Sequence, residues 1–102
     1  MTHAGVAKLH LGSYEQAAAC FRQSIEANRN YPTPYFLVAA SLAQLGRLDE
    51  ARSAVKAGLA LNPSFAISRA SSAWAAMSDH PTHLALGERV VEDMRKAGLP
   101  EE

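Results

Sequence analysis

The sequence repeats itself with a period of 34 residues, and this limits its fold more than any other feature. A shift by 34 positions places Leu11-Gly12 on Leu45-Gly46. The same shift aligns further identical or chemically similar pairs, namely Ala17 with Ala51, Phe21 with Val55, Ile25 with Leu59 and Asn28 with Asn62. A fixed period of this length is typical of folds built from stacked helix pairs, and the 102 residues hold three such periods.

The second period predicts one complete helix pair. Its first helix covers residues 34–45, with Thr33 as the N-cap, and it ends at Gly46 because glycine adopts the left-handed conformation without steric cost. Its second helix covers residues 48–61 and ends before Pro63, which disfavours helical angles in the residue preceding it. Apolar residues follow one stripe along each helix, so each helix has one face to bury.

The other two periods predict the same arrangement. Helices are expected over residues 2–11 and 13–28 in the first, and over 65–77 and 82–97 in the third, where Ser64 caps the first helix. The third period lacks the Leu-Gly pair, and its last helix has a polar outer side, as the unit that ends a stack requires. We therefore predict one all-α domain, a helix-pair solenoid of six helices with units at about 1–31, 32–63 and 64–102.

Composition and charge exclude several classes of protein. Ten Lys and Arg balance ten Asp and Glu, so no strong field attracts nucleic acid or an anionic membrane. A single cysteine excludes an internal disulfide. The most apolar stretch, residues 35–45, is too short to span a membrane, and the N-terminal residues do not form a signal peptide. These features predict a cytoplasmic location and neither a nucleic-acid nor a membrane partner.

No residues have the spacing of a catalytic or metal centre. His80 and His83 lie on the two sides of a proline turn. His3 and His10 are two helical turns apart, and neither pair has a thiolate or carboxylate at ligand spacing. Cys20 has no histidine at a motif spacing that would activate it, and there is no glycine-rich phosphate loop. The sequence thus predicts no enzymatic activity, no cofactor and no metal.

The first two units resemble the tetratricopeptide repeat, a helix-pair repeat of the same period. The family's pattern is matched in the second unit by Tyr35, Val38, Ala39, Leu42, Ala51, Val55 and Pro63, and in the first by Gly5, Ala17 and Phe21. Lys8 stands at the tyrosine position of the first unit and Arg29 at its closing proline. The resemblance covers residues 1–63 well and the remainder loosely.

The resemblance implies a non-catalytic scaffold for a protein or peptide partner. In that family the repeats form a right-handed superhelix, and the first helix of each unit lines a concave groove. The corresponding groove residues here are Phe36, Ala40, Ala43, Gln44, Ala70, Trp74 and Met77. This lining is nearly uncharged, so we expect a partner with apolar or aromatic anchors. Trp74 has two open interpretations, a core anchor or a groove contact beside Phe36.

The ends of the chain suggest a second function. Residues 94–101 resemble the ends of bacterial multidomain regulators, in which a class III adenylate or guanylate cyclase domain or a DNA-binding domain precedes a repeat tail. This implies an oligomerisation or regulatory domain of a larger bacterial signalling protein. The short first helix also predicts uncovered apolar surface at Val6, Leu9 and Phe21, and hence a homo-oligomer formed through the N-terminal unit.

Overall fold

The computed structural model describes residues 2–102, with side chains described from Gly5 onward. Met1, with which the first predicted unit begins, lies outside the described residues. The helices are α1 (Thr2–His10), α2 (Tyr14–Ala27), α3 (Thr33–Gln44), α4 (Leu48–Leu61), α5 (Ile67–Ala75) and α6 (Pro81–Lys96). The predicted all-α fold of six helices is confirmed for this part of the chain.

Glycines end three of the helices. Gly12, Gly46 and Gly98 have φ angles of 74°, 82° and 98°, the left-handed conformation expected after α1, α3 and α6. One predicted N-cap is wrong, since Thr33 lies inside α3 and Pro32 occupies the cap position. Proline suits a helix start because it has no N–H that would need a partner there.

The start of α5 also differs from the prediction. The helix begins two residues later than expected, and the Ser64 hydroxyl bonds to the side chain of Asn62 instead of capping it. Phe65 is held outside the helix by stacking on Phe36, with ring centroids 4.2 Å apart. The N–H of Ile67 donates to the carbonyl of Pro100 over 2.8 Å. The C-terminal tail thus supplies a partner for a first-turn N–H that has none within its own helix.

The third helix pair does not continue the order of the first two. The extensive contacts run from α1 to α2, from α2 to α3 and from α3 to α4, as in two consecutive repeat units. After that, α6 packs against α3, and the extensive contacts of α5 are with α6 alone. We call the side of α1 and α3 that α6 covers the first-helix face, marked by His10, Leu37 and Gln44.

The N-terminal unit buries the apolar residues that were expected to be open. Leu9 is 1% exposed and Phe21 is completely buried, while Val6 is half-buried. The ring of Phe21 lies directly against Gly5, where a Cβ would overlap it. A helix as short as α1 is thus long enough to cover Phe21, because a residue without a side chain lets α2 approach closely. Two of the three residues on which the predicted self-association rested, Leu9 and Phe21, are therefore inside the chain, and Val6 is partly so.

A substitution at Ala51 can test how α4 packs against its neighbours. It has no exposed surface, so the larger side chain of Ala51→Leu has to displace core atoms. We expect a loss of about 1–3 kcal/mol in the free energy of unfolding, measured by urea denaturation. Ala60→Leu is the matched control, because Ala60 is exposed on the same helix and should change stability by less than about 0.5 kcal/mol. Equal denaturation midpoints for the two variants would contradict this packing.

Candidate partner-binding site

The structure gathers most of the predicted groove residues beneath α6. Of the seven, Phe36, Ala40, Ala70 and Trp74 are buried, Ala43 is half-buried, and Gln44 and Met77 are exposed. Phe36 and Trp74 share a cavity of about 30 Å³ with Val90 and Met94 of α6. A void of this size holds at most about one water molecule. Four of the seven, Phe36, Ala70, Trp74 and Met77, line this cavity together with α6, and of these Met77 alone is exposed.

Phe36 is part of the core between α3 and α4. Its ring stacks on Phe65 and lies over Gly58, where a Cβ would come within 2.7 Å of the ring. Only 1% of Phe36 is exposed. The signal that could have shown this in the sequence is Gly58, which leaves space in the middle of α4 for a large side chain from the preceding helix.

Trp74 and His83 hold α5 and α6 together by two reciprocal hydrogen bonds. The indole Nε1 of Trp74 donates to the carbonyl of His83 over 2.7 Å, and Nε2 of His83 lies 2.9 Å from the carbonyl of Trp74. Because a carbonyl only accepts, Nε2 must carry the ring proton. The two rings stack in parallel, with centroids 4.4 Å apart. These contacts favour the core interpretation of Trp74.

His10 extends this pairing to α1. Its Nε2 lies 2.9 Å from Nδ1 of His83, so His10 donates and the remaining ring nitrogen of His83 accepts. The sequence offered only histidine pairs close along the chain, and a contact over 73 positions has no local signal. The side chain of His3 lies outside the described part. Among the described residues, no three His, Cys, Asp or Glu side chains are grouped as a metal site.

Asp93 is a buried carboxyl where α6 meets α3. It is 5% exposed. With its amide nitrogen facing Asp93, Gln44 donates to the two carboxylate oxygens over 2.8 and 3.3 Å. Burial raises the pKa of Asp93 from an ordinary 3.8 to about 6, against the opposing charges of Lys96 and Arg89. A charged carboxylate in this position weakens the attachment of α6 at neutral pH.

The last two helices and the tail form a unit of their own, which we call the C-terminal hairpin (residues 67–102). The bond from Ile67 to Pro100 joins its two ends, and Arg95 forms ion pairs with Glu101 and Glu92. Its polypeptide connection to α4 is residues 62–66. The hairpin therefore has internal contacts that do not depend on α3, and it attaches to the first-helix face mainly through α6.

Comparison with known proteins gives one result. A family model described as tetratricopeptide repeat matches residues 8–77, which is more than half of the chain. The match runs from the end of α1 through α5 and stops before α6 begins. No curated protein and no solved structure matched the chain. The resemblance of its C-terminal residues to cyclase-like or DNA-binding regulators therefore gains no support and stays a prediction.

Separately, none of the helices in the described residues combines the length and apolar character that crossing a membrane requires.

Proposed function

Since the chain belongs to the tetratricopeptide repeat family, we propose that it is a non-catalytic scaffold that binds a protein or peptide partner on the first-helix face. Repeats of this family generally mediate contacts between proteins. The partner competes with α6 for this face. The observation that supports the proposal is α6 itself, which lies beyond the matched repeats and is seated on α3.

The contacts of α6 define the chemistry of the partner. Val90 and Met94 face the cavity shared with Phe36, and Asp93 accepts from Gln44. A competing segment needs the same elements, two apolar side chains about one helical turn apart and an acceptor beside them. This is the helix-in-groove mode of recognition. The contacts are mostly uncharged, so affinity should depend weakly on salt.

Competition with α6 lowers the apparent affinity of any partner. If only a fraction of molecules expose the first-helix face, the measured Kd exceeds the intrinsic Kd by the inverse of that fraction. The buried carboxylate of Asp93 favours opening at neutral pH, because its charge is better solvated when α6 is released. The same group therefore affects both the stability of the closed chain and the binding of a partner.

The test is to fix α6 in place. Gln44 and Asp93 have contacting side chains, so Gln44→Cys with Asp93→Cys allows α6 to be linked to α3. The reagent is a short bis-methanethiosulfonate linker, which oxidises both thiols to mixed disulfides. It is needed because contact between the longer native side chains does not bring the Cα atoms within the roughly 7 Å that a direct disulfide requires. The single native thiol, Cys20, is first replaced by alanine. Peptides are selected from a random library on the reduced protein. We expect the oxidised protein to bind them at least about tenfold more weakly, and reduction to restore binding.

Two controls complete this test. The single variant Gln44→Cys, treated with the same oxidant, should keep its affinity. Equal affinity of the oxidised and reduced double variant would contradict the proposal, because a fixed α6 leaves the first-helix face covered.

A regulatory oligomerisation domain of a larger signalling protein is the second candidate function. The observation in its favour is Leu11, of which 74% is exposed beside α1 in the N-terminal unit. Sedimentation equilibrium of the wild type and of Leu11→Ser separates the two candidates. A dimer that Leu11→Ser dissociates favours oligomerisation, and a monomer over the whole concentration range favours the scaffold.

A further inference from the structure

The C-terminal hairpin has an open cleft between α5 and α6 that the first-helix face does not use. Its volume is about 380 Å³, and its lining comes from α5 and α6 alone. Ala75, Leu84 and Val91 form an apolar floor, together with the edge of Trp74. Leu84 is 39% exposed, so part of its apolar side chain is open to a ligand in the cleft. The cleft is accessible while α6 stays on α3.

The cleft is elongated along α6. Leu84, Glu88, Glu92 and Arg95 follow one another at helical spacing along a single side of the helix. From the first to the last of them the distance along the axis is about 16 Å, at about 1.5 Å per residue. α6 is therefore the long wall of the cleft, while α5 lines one end of it through Ser71, Trp74 and Ala75. A wall of this length can contact a partner helix of about three turns, which is longer than most compact small ligands.

The rim of the cleft has excess negative charge, although the whole chain has none. Glu88 and Glu92 lie one helical turn apart on the rim. Arg95, at the end of the cleft, forms ion pairs with both Glu92 and Glu101. Its positive charge is therefore already balanced and does not neutralise Glu88. The lining thus has two carboxylates and one guanidinium, and that guanidinium is shared with Glu101 outside the lining. Among the described residues Glu88 has no ion-pair partner.

We propose that this cleft is a second docking surface, which binds an amphipathic helix with a basic edge. The apolar stripe of that helix packs on the exposed side chains of Leu84 and Ala75, and two Lys or Arg residues four positions apart lie opposite Glu88 and Glu92. The match in spacing follows from helix geometry, because residues four positions apart project from the same face of each helix. This surface is separate from the first-helix face.

The probe is a synthetic helix-forming peptide of about 16 residues with a leucine stripe and lysines at four-residue spacing. Its partner peptide has glutamate in place of each lysine. Binding is measured by anisotropy of a labelled peptide and by fluorescence of Trp74, the only tryptophan, which lines the cleft. We expect the lysine peptide to bind at least about tenfold more tightly than the glutamate peptide. Its affinity should fall as salt rises from about 0.05 to about 0.5 M.

Variants of the rim locate the site. Glu88→Gln with Glu92→Gln should weaken binding of the lysine peptide by about tenfold. The matched control is Glu26→Gln with Asp79→Asn, which makes the same change in net charge at exposed positions outside the cleft and should leave the affinity within about twofold. The chain with α6 linked to α3 should also keep its affinity, which separates this site from the first-helix face.

Four results of the peptide-binding experiments would overturn the proposal. They are failure of the lysine peptide to bind, equal binding of both peptides, unchanged affinity in the glutamine double variant, and loss of binding when α6 is linked to α3. Self-association of the free chain that Leu84→Lys abolishes would assign the cleft to a second copy of the chain and would equally exclude a basic partner helix.

Discussion

Trp74→Ala is expected to lower the free energy of unfolding by about 3–5 kcal/mol. The indole is 4% exposed, fills the space beside Gly87 and stacks on His83. Its removal leaves a cavity between α5 and α6 and also leaves the carbonyl of His83 without its donor. Urea denaturation followed by circular dichroism measures the change, since the variant has no tryptophan to report by fluorescence.

The conservative variant separates packing from hydrogen bonding. Trp74→Phe keeps an aromatic ring against His83 but has no N–H, so we expect it to recover about half of the lost stability. A loss below about 1 kcal/mol in Trp74→Ala would show that the indole is not a core anchor. In that case its interpretation as a surface contact for a partner would be preferred.

Asp93→Asn is expected to stabilise the chain at pH 7.5, by at most about 3 kcal/mol because the hydrogen bonds from Gln44 already favour the charged carboxylate. The pKa of this carboxyl is raised by burial from 3.8 to about 6, and each pKa unit corresponds to about 1.4 kcal/mol. An amide has nearly the same shape and no charge to desolvate. The charges that act on this carboxyl, those of Lys96, Arg89 and Glu92, lie on its own helix, and α3 contributes the neutral Gln44.

The stability difference between Asp93→Asn and the wild type should depend on pH in a definite direction. The folded chain binds a proton at Asp93 more tightly than the unfolded chain, so the wild type gains stability as pH falls through about 6 and has the full gain below 3.8. The difference between Asp93→Asn and the wild type should therefore be largest above pH 6 and vanish near pH 4. Denaturation midpoints from pH 4 to pH 8 measure it, with Asp79→Asn as the exposed control.

A second readout of Asp93→Asn connects stability with binding. A more stable attachment of α6 leaves fewer open molecules, so selected peptides should bind this variant more weakly than the wild type at pH 7.5. Equal stability of the two proteins at pH 7.5, or a difference that grows towards pH 4, would contradict a carboxylate whose charge is desolvated by burial at this position.

The fold followed from the sequence wherever its cause was local. The period of 34 residues predicted the helix pairs, and Gly12, Gly46 and Gly98 marked the helix ends because their conformation depends on few neighbours. The start of α5 was missed because the partner of its first N–H groups is the C-terminal tail. The carbonyl that accepts from Ile67 is 33 positions away, so the residues near Ile67 in the sequence do not indicate it.

The burial of the predicted groove residues could not be predicted from the sequence. Phe36 and Trp74 do lie together, yet α6 covers them. This arrangement depends on contacts of long sequence separation, such as Gln44 with Asp93 and His10 with His83. Two features of the sequence are related to this position of α6. The third unit lacks the Leu-Gly pair, and Gly87 leaves space in α6 for the indole.

The position of α6 on the free chain can be measured directly by nuclear Overhauser effects in solution. We predict contacts from the side chains of Val90, Val91 and Met94 to Phe36 and Leu37, in the absence of any partner. A regular third repeat would instead give contacts between α5 and α4, with α6 remote from α3. Observation of that second pattern would contradict an α6 that covers the first-helix face, and with it the proposed competition between α6 and a partner.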